Sequence, residues 1–367
     1  MARTPLSLPD FPWDALVPFR ERAAAHPGGL IDLSVGSPVD ETPAVVRHAL
    51  TAATDAHAYP QTAGTAELRE AIVAWYARRR SVTGLAADEV LPTIGSKELI
   101  ALLPMILGLG IGDVVVQPRV AYPTYAIGAA LAGASVTSSN DPGEWPAATK
   151  VIWLNSPGNP DGRVLGVEEL EAALARAREL GAILVSDECY AEFSWTTDAP
   201  TPSILDPRVI GGDRTGVLSV YSLSKQSNLA GYRAGFVAGD RALIGELLSV
   251  RKHIGLIPPA PVQAAMIAAL GDDEHVAAQR ARYRSRRERL APAFEAAGFR
   301  IDHSEAGLYL WVSRGQDAWD TVGDLAEAGI LVVPGPFYGD HAPQHVRVAL
   351  TAPDADIDRA VARLTRD

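Results

Sequence analysis

The sequence lacks several features that would place the protein in other classes. Its 367 residues include a single cysteine, Cys189, so no disulfide can form within the chain, and we expect a reducing, cytoplasmic compartment. No apolar run approaches the roughly 20 residues that a membrane-spanning helix needs. Residues 1–20 carry prolines and aspartates but no continuous apolar segment, so we expect no signal peptide.

Excess positive charge and phosphate-binding loops are also missing. The net charge of −11 provides no basic footprint for nucleic acid or anionic membranes. The chain has no G-x-G-x-x-G after a strand and no G-x-x-x-x-G-K-[ST], and no metal site is predicted. One basic run is typical of the solvated face of a helix; its members are Arg282, Arg284, Arg286, Arg287 and Arg289.

Hydrophobic residues make up 47% of the chain, enough for a sizeable core. Between about 90 and 240, short apolar strands alternate with helical segments, which predicts an α/β fold with a mostly parallel sheet and helices on both faces. The predicted strands are Val114 to Gln117, Val151 to Leu154, Ile183 to Ser186, Val217 to Tyr221 and Gly235 to Ala238.

A second pattern begins after the prolines at 258–261. A long helical region to about 297 precedes strand signals at 299–302, 308–312, 330–333 and 346–349, which favours a smaller α+β domain. We therefore expect a large domain over 41–260 and a small C-terminal domain over 261–367, with an N-terminal segment, 1–40, that packs on the small domain.

The segment from Tyr221 to Gly235 is the most informative feature. A strand leads to small hydroxyl residues, then Lys225, and eight residues later Arg233. A lysine in this position could hold an aldehyde cofactor as a Schiff base, with Ser222 and Arg233 binding the cofactor phosphate. The alternative is a solvated lysine on a surface loop.

Two other strands end in polar residues. Asp187 follows one strand, and its carboxylate could pair with a protonated pyridine nitrogen, since an unpaired buried charge is costly. Tyr190 and Asn155, which follows the preceding strand, could both donate to the phenolic oxygen of the same ring. The alternatives are a helix cap or arginine partner for Asp187 and ordinary turn chemistry for Asn155.

The junction Ile94-Gly95-Ser96-Lys97 joins a strand to a helix. Backbone N–H groups at a helix start bind anions, and Ser96 adds a hydroxyl. A plain N-cap is the alternative.

The order Gly95-Ser96, Tyr122, Asn155, Asp187, Tyr190, Lys225, Arg233 resembles the class I/II aminotransferases of fold-type I, which use pyridoxal 5′-phosphate. The resemblance implies that Lys225, Asp187 and Tyr190 are catalytic, with Lys225 as the Schiff-base lysine and proton shuttle. It implies that Gly95, Ser96, the backbone at Lys97, Ser222 and Arg233 bind the phosphate. Tyr122 would stack on the ring, and Asn155 and Tyr190 would bind its hydroxyl.

The resemblance also implies substrate contacts and a partner subunit. Arg347 would clamp the substrate α-carboxylate, a task that suits a bidentate guanidinium, with Gly36 and Asn155 beside it. Tyr59 would reach the phosphate of the partner subunit, so a homodimer with shared active sites is implied. The turn residue Asp161 departs from the threonine usual in relatives, and we expect no chemical role for it.

Segments at 95–98, 121–125, 155–157, 251–255, 259–263 and 345–351 are similar to actinobacterial N-succinyldiaminopimelate aminotransferases of lysine and peptidoglycan biosynthesis. The implied reaction transfers an amino group from glutamate to N-succinyl-2-amino-6-oxopimelate. A further cation should bind the distal arm, and the candidates are Arg163, Lys97, Arg119 and Arg251. The alternatives are a broad aspartate or aromatic aminotransferase, a C–S lyase and a non-catalytic cofactor-binding regulator.

Overall fold

Short apolar runs between residues 90 and 239 form one seven-stranded sheet in a computed structural model that describes residues 8–198 and 200–365. The strands of the chain are β1 (Ile31–Asp32), β2 (Val90–Ile94), β3 (Val114–Gln117), β4 (Ser135–Ser138), β5 (Thr149–Asn155), β6 (Ile183–Asp187), β7 (Val217–Ser222), β8 (Ala234–Gly239), β9 (Arg300–Ile301), β10 (Tyr309–Ser313), β11 (Ile330–Leu331), β12 (Val333–Pro334) and β13 (His345–Ala349).

Thirteen α-helices lie among the described residues. They are α1 (Val17–Ala24), α2 (Ala44–Ala52), α3 (Ala66–Arg80), α4 (Gly95–Ile106), α5 (Thr124–Ala132), α6 (Val167–Leu180), α7 (Pro207–Ile210), α8 (Leu223–Gln226), α9 (Arg241–Ile254), α10 (Ala260–Gly271), α11 (Glu274–Ala296), α12 (Ala318–Glu327) and α13 (Asp354–Leu364). Within that part of the chain, no helix is both long and apolar enough to cross a membrane.

The large sheet has the strand order β2-β8-β7-β6-β5-β3-β4. Strands β3 to β7 are parallel, and β8 runs antiparallel to both of its neighbours. Apolar side chains of α3, α6 and α10 cover one face, and those of α4, α5 and α9 cover the other. The predicted α/β architecture is thus confirmed, because strands buried on both faces must be apolar throughout.

Of the two edge strands of this sheet, β2 was expected only as the strand that ends at the Ile94 junction, and β4 was not predicted. Strand β2 contains Pro92, and a proline lacks the N–H that an interior strand needs, so it lies at an edge. Strand β4 at the other edge is polar and partly exposed, and its sequence carries little strand signal.

The helical region expected from 261 to 297 is interrupted at residue 272, where the side chain of Asp272 accepts a hydrogen bond from the Glu274 N–H.

The second sheet is antiparallel with the order β12-β13-β10-β9. Strand β1 from the N-terminal region pairs in parallel with β11, and Leu16, Ile31 and Leu33 belong to the same apolar core as the C-terminal strands. These pairings place residues near 31–36 beside β13 and close to the carboxyl end of the large sheet.

The expectation of a fully solvated arginine face on α11 is wrong at Arg286. Its side chain is only 1% exposed and forms ion pairs with Asp40 and Asp354. Burial raises the pKa of Asp40, but the hydrogen bonds from Arg286 and Gln279 and the nearby arginine charges together hold this pKa below its usual range. This network ties the residue at the end of the N-terminal segment to α11 and to the start of α13.

Candidate active site

The carboxyl ends of three neighbouring strands carry the predicted cofactor residues. Asn155 ends β5 and lies opposite Asp187 at the end of β6, while Ser222 ends β7 and Lys225 follows in α8. Parallel strands bring their carboxyl ends to one edge, where ligands of such sheets bind. The structure thus brings together residues that lie up to 70 positions apart in the sequence.

Lys225 lies half-buried within this edge, and its Nζ donates to the backbone carbonyl of Gly36. Burial is the main cause that lowers the pKa of the Lys225 ammonium. A lysine that gives up its proton more readily is a better nucleophile and a better proton acceptor. The same contact places Gly36, a predicted substrate residue, directly beside the lysine.

Asp187 is 5% exposed and has no cation bound to its side chain among residues 8–198 and 200–365. Its carboxylate accepts from the Tyr125 hydroxyl at 2.9 Å and from the Cys189 N–H at 3.2 Å. Burial raises the pKa of this carboxyl group. An ionised carboxylate held in a buried site without a counter-charge fits a protonated ring nitrogen, so the predicted cofactor passes this test.

Tyr190 and Asn155 flank Asp187 but differ in their present partners. The Tyr190 hydroxyl lies 3.2 Å from the hydroxyl of Tyr309. The Asn155 amide donates to the carbonyls of Pro157 at 3.1 Å and Asp187 at 3.0 Å. The Asn155 amide therefore donates to one carbonyl in its own loop and to one at the end of β6, and its donation to a cofactor oxygen stays a prediction.

The start of α4 lies against Arg233, as a phosphate site would require. Gly95 has φ of +70°, and a Cβ there would lie 2.3 Å from Nη2 of Arg233, so only glycine admits the guanidinium. The Arg233 side chain is exposed and donates to the Ala230 carbonyl at 2.9 Å. The free backbone N–H groups at the start of a 12-residue helix add positive potential beside this cation.

Two hydroxyls and one amide complete this cradle. The Ser96 hydroxyl accepts from the Cys189 thiol at 3.4 Å, which links the helix start to the residues after β6. The Ser222 hydroxyl donates to Ser224 at 2.8 Å, so Ser224 supports the position of Ser222. The side chain of Lys97 is exposed, which is consistent with a role for its backbone alone.

The two remaining aromatic candidates lie in different environments. The ring of Tyr122 meets that of Tyr125 edge-on at 5.8 Å, which places it over the Asp187 side of the site. Burial raises the pKa of Tyr122 to about 12. Tyr59, in contrast, is 99% exposed in the loop before α3, and its contact with a partner subunit stays a prediction.

Arg347 is the most unusual charged residue near the site. It is 3% exposed and donates to Asn159 Oδ1 at 3.0 Å and to the Ser34 carbonyl at 2.7 Å. In the described part of the chain its guanidinium meets no carboxylate, and its Nε–H has no acceptor. A buried guanidinium that lacks a counter-ion and keeps a free donor fits the carboxylate of a substrate.

The candidates for a distal cation are not equivalent. Arg251 is fully buried and bonds both carboxylate oxygens of Glu98, so the structure excludes it. Arg163 forms an ion pair with Glu169. Arg119 is exposed and donates to His341 Nδ1 at 3.3 Å, and within residues 8–198 and 200–365 it has no carboxylate partner.

Sequence reasoning missed three side chains of this site: Tyr125, which donates to Asp187, and two residues beside Arg347. Tyr309 in β10 places its ring 4.0 Å below the Arg347 guanidinium, and Asn159 orients the same group. A signal for Tyr309 exists in the alternation Leu308-Tyr-Leu-Trp311, which places Tyr309 on the face that carries Arg347 in the paired strand. Asn159 lies in a turn, where asparagine is common for local reasons, so the sequence gives no signal of its contact with Arg347.

Comparisons with known proteins agree with this geometry. The family model described as "Aminotransferase class I and II" matches residues 29–364. A 4-dedimethylamino-4-oxo-anhydrotetracycline transaminase, OxyQ, of Streptomyces rimosus is 57% identical over 98% of this chain and 99% of its own length. A "Probable aminotransferase Rv1178" of Mycobacterium tuberculosis is 55% identical over 98% of this chain and 86% of its own.

More distant relatives and solved structures follow the same pattern. An LL-diaminopimelate aminotransferase of Gloeobacter violaceus is 34% identical over 94% of this chain and 92% of its own length. An aminotransferase structure from Neisseria meningitidis superposes with a TM-score of 0.89, at 31% identity and 97% coverage of both chains. A "probable N-succinyldiaminopimelate aminotransferase" from Thermus thermophilus gives a TM-score of 0.87, at 29% identity and 96% and 99% coverage.

Proposed function

The chain belongs to the class I and II aminotransferases, and we propose that it transfers the amino group of glutamate to N-succinyl-2-amino-6-oxopimelate. Its fold is that of the fold-type I transferases, and its cofactor is pyridoxal 5′-phosphate. The observation that supports an amino-acid substrate is Arg347, because its buried guanidinium keeps a free Nε–H and has no described acidic partner.

Bound pyridoxal phosphate supplies an aldehyde for the substrate's amino group and a ring that draws electrons from the bonds at the substrate's Cα. Arg347 binds the α-carboxylate and fixes that carbon in place. Lys225, whose pKa is lowered by burial, would accept the proton from the substrate's Cα and later give up this proton again. Asp187 would hold the ring nitrogen through its negative charge, and the Tyr190 hydroxyl would donate to the ring oxygen.

The roles of the phosphate residues follow from the same assignment. The backbone at Gly95, Ser96 and Lys97, together with Ser222 and Arg233, would bind the dianion at the start of α4. Tyr59, which is 99% exposed, would reach the phosphate of a partner subunit in a homodimer. The proposed large domain spans 41–260 and the proposed small domain spans 261–367. We further propose that the protein is cytoplasmic.

The succinyl arm requires a cation beyond the α-carboxylate site, and Arg119 suits this task best. It lies in the loop that carries Tyr122, and its described partner is His341 rather than a carboxylate. Arg119→Gln should raise the KM for the succinylated substrate about tenfold or more, the value of one charged hydrogen bond, and change the KM for alanine little. Lys150→Gln, at the exposed opposite end of β5, is the matched control.

The first alternative amino acceptor is a polycyclic ketone, because the transaminase OxyQ is 57% identical to this chain. A broad aspartate or aromatic aminotransferase is the second alternative, and a Thermus thermophilus aspartate aminotransferase variant superposes with a TM-score of 0.80 at 28% identity. A C–S lyase would release pyruvate and ammonia, and a regulator would show no turnover.

One assay distinguishes these candidates. Purified holoenzyme would be supplied with 2-oxoglutarate and one amino donor at a time: N-succinyl-LL-diaminopimelate, aspartate or phenylalanine. Glutamate formation should have the highest kcat/KM with the succinylated donor. A higher kcat/KM with aspartate or phenylalanine would overturn the proposal. So would the absence of turnover with all three donors, if a parallel reaction of glutamate with a polycyclic ketone turns over.

A further inference from the structure

Tyr309 contacts three parts of the site that the proposed mechanism treats separately. The Arg347 guanidinium carbon lies 4.0 Å from the centroid of its ring. Its hydroxyl lies 3.2 Å from the hydroxyl of Tyr190. A Cβ on Gly36 would lie 2.0 Å from the Tyr309 hydroxyl, so the tyrosine packs directly on the backbone that accepts from Lys225.

These contacts connect groups with different tasks. Arg347 is the proposed carboxylate site, Tyr190 the proposed donor to the cofactor ring, and Lys225 the proposed proton carrier. Tyr309 is 3% exposed, and the two hydroxyls form one hydrogen bond in the same buried space. Neutralisation of the Arg347 charge by a carboxylate can therefore affect Tyr190 and Lys225 through Tyr309. Tyr309 contacts Tyr190 directly and packs on Gly36, whose carbonyl accepts from Lys225.

We propose that Tyr309 is a positioning residue whose ring orients Arg347 and whose hydroxyl couples carboxylate binding at Arg347 to the protonation of Tyr190 and Lys225. This inference rests on the proposed function, because it requires a carboxylate to bind at Arg347. The inference assigns a role to Tyr309, a residue that the chemistry of the cofactor does not by itself require.

The charges around Tyr309 support this coupling. Burial alone would raise the pKa of the Tyr309 phenol, but the nearby cations Arg347 and Lys225 bring it below its usual value. Burial and the neighbouring Tyr309 raise the pKa of Tyr190, and either hydroxyl can donate in the hydrogen bond that the two tyrosines share. The titratable groups that face Tyr309 are Arg347, Lys225, Tyr190, Cys189, Tyr122, Tyr338 and Tyr283.

The direction of the coupling follows from these signs. Burial lowers the pKa of Lys225, and the nearby hydroxyl oxygen of Tyr309 acts in the opposite direction by favouring the protonated lysine. A bound carboxylate offsets the charge of Arg347, so Tyr309 retains its proton more firmly. Tyr309 then stabilises the protonated form of Lys225 less, an effect that is separate from the direct effect of the carboxylate.

The test compares Tyr309→Phe with Tyr309→Leu in the holoenzyme. Succinate serves as the probe, because it offers carboxylates but no amino group to react. Two quantities are measured: the Kd of succinate by calorimetry, and the pH midpoint of the visible absorbance of the bound cofactor, with and without saturating succinate. Tyr309→Phe keeps the ring beneath Arg347 and removes only the hydroxyl.

We expect Tyr309→Leu to weaken succinate binding by about tenfold, the loss of an oriented buried cation over a ring. Tyr309→Phe should bind succinate within about threefold of wild type, because its ring still orients the guanidinium. Its absorbance midpoint should fall by ~0.5 pH unit or more, because the electronegative hydroxyl oxygen near Lys225 is removed. The shift of the absorbance midpoint that succinate causes should also differ between Tyr309→Phe and wild type.

Tyr338→Phe is the matched control. The Tyr338 ring centroid lies 5.2 Å from the same guanidinium carbon, and its buried hydroxyl has no hydrogen-bond partner in the described chain. This variant loses a buried hydroxyl near Arg347 without touching Tyr190, so its absorbance midpoint should stay at the wild-type value. Thermal unfolding of each variant shows that it is folded.

Three results would overturn the inference: a Tyr309→Phe midpoint equal to wild type, an equal shift in Tyr338→Phe, or unchanged succinate binding in folded Tyr309→Leu. Each of these leaves the proposed function in place if the wild-type enzyme still binds succinate and transaminates. If folded wild-type holoenzyme does not bind succinate at all, the carboxylate site at Arg347 fails, and the inference fails with it.

Discussion

Replacement of Asp187 by asparagine should make the cofactor-free protein more stable while it disables the enzyme. The Asp187 carboxylate is buried, and its bonding partners are two neutral donors, the Tyr125 hydroxyl and the Cys189 N–H. Its ionised form therefore costs the cofactor-free fold free energy that the cofactor's ring nitrogen would offset. The amide is neutral and removes this cost.

The magnitude follows from two opposing contributions. Loss of the buried charge returns about 2–4 kcal/mol, and the amide group leaves one of the two donors without its acceptor at a cost of about 1 kcal/mol. The net gain is about 1–3 kcal/mol. For a chain of 367 residues the unfolding entropy converts this to a rise in Tm of about 1–4 °C.

The pH dependence has a definite sign. Burial raises the folded-state pKa of Asp187 above the ordinary value of 3.8, so the folded protein binds this proton more tightly than the unfolded chain. The cost is absent below pH 3.8 and complete above the raised folded value. The advantage of Asp187→Asn should accordingly be largest at pH 8 and shrink as the pH falls toward 4.

The assay is thermal unfolding of cofactor-free wild type and Asp187→Asn between pH 4 and 8, beside turnover of the reconstituted enzymes. We expect a higher Tm at pH 8 and a turnover rate that falls about a hundredfold or more, which corresponds to about 2.7 kcal/mol of lost electrostatic stabilisation. A lower Tm than wild type at pH 8, or turnover close to wild type, would refute the reasoning.

Three further predictions concern other parts of the molecule. Arg347→Lys loses the planar fork and should raise the KM for glutamate about tenfold or more with a smaller change in kcat, measured by steady-state kinetics; an unchanged KM would contradict the carboxylate role. Arg286→Met leaves Asp40 without its cation, while Asp354 keeps Arg289, and should lower the free energy of unfolding by roughly 3–5 kcal/mol in urea titrations; no loss would show that the Arg286–Asp40 ion pair does not form. Gly36→Ala brings a methyl group to 2.0 Å from the Tyr309 hydroxyl, and its kcat/KM should fall about tenfold or more; wild-type activity would contradict this packing.

Most of the large sheet could be predicted because its inner strands are buried on both faces and must be apolar. The edges were harder to predict: β2 contains Pro92 and was expected only from its junction with the following helix, and the polar β4 carries no strand pattern. The antiparallel insertion of β8 between β7 and β2 also has no local signal. Strand pairing depends on contacts between distant segments.

The proposed cofactor residues beside the large sheet could be placed because each follows a strand in a recognisable order. The residues contributed by the C-terminal strands and by the chain before α2 were harder to place. Tyr309 reads as an ordinary strand residue until β10 pairs with β13 and Arg347 is seen above its ring. In the sequence, Arg251 has no acidic residue within four positions to pair with. In the fold, Glu98, 153 positions away, forms an ion pair with it.

The central claim is that Lys225 carries the cofactor opposite Asp187. Reduction of the holoenzyme with borohydride, followed by peptide mass spectrometry, tests it directly, because reduction fixes the cofactor on whichever lysine holds it. We predict one modified peptide, labelled at Lys225, and no label in Lys225→Ala. A label on Lys97, Lys150 or Lys252, or normal turnover by Lys225→Ala, would contradict the account.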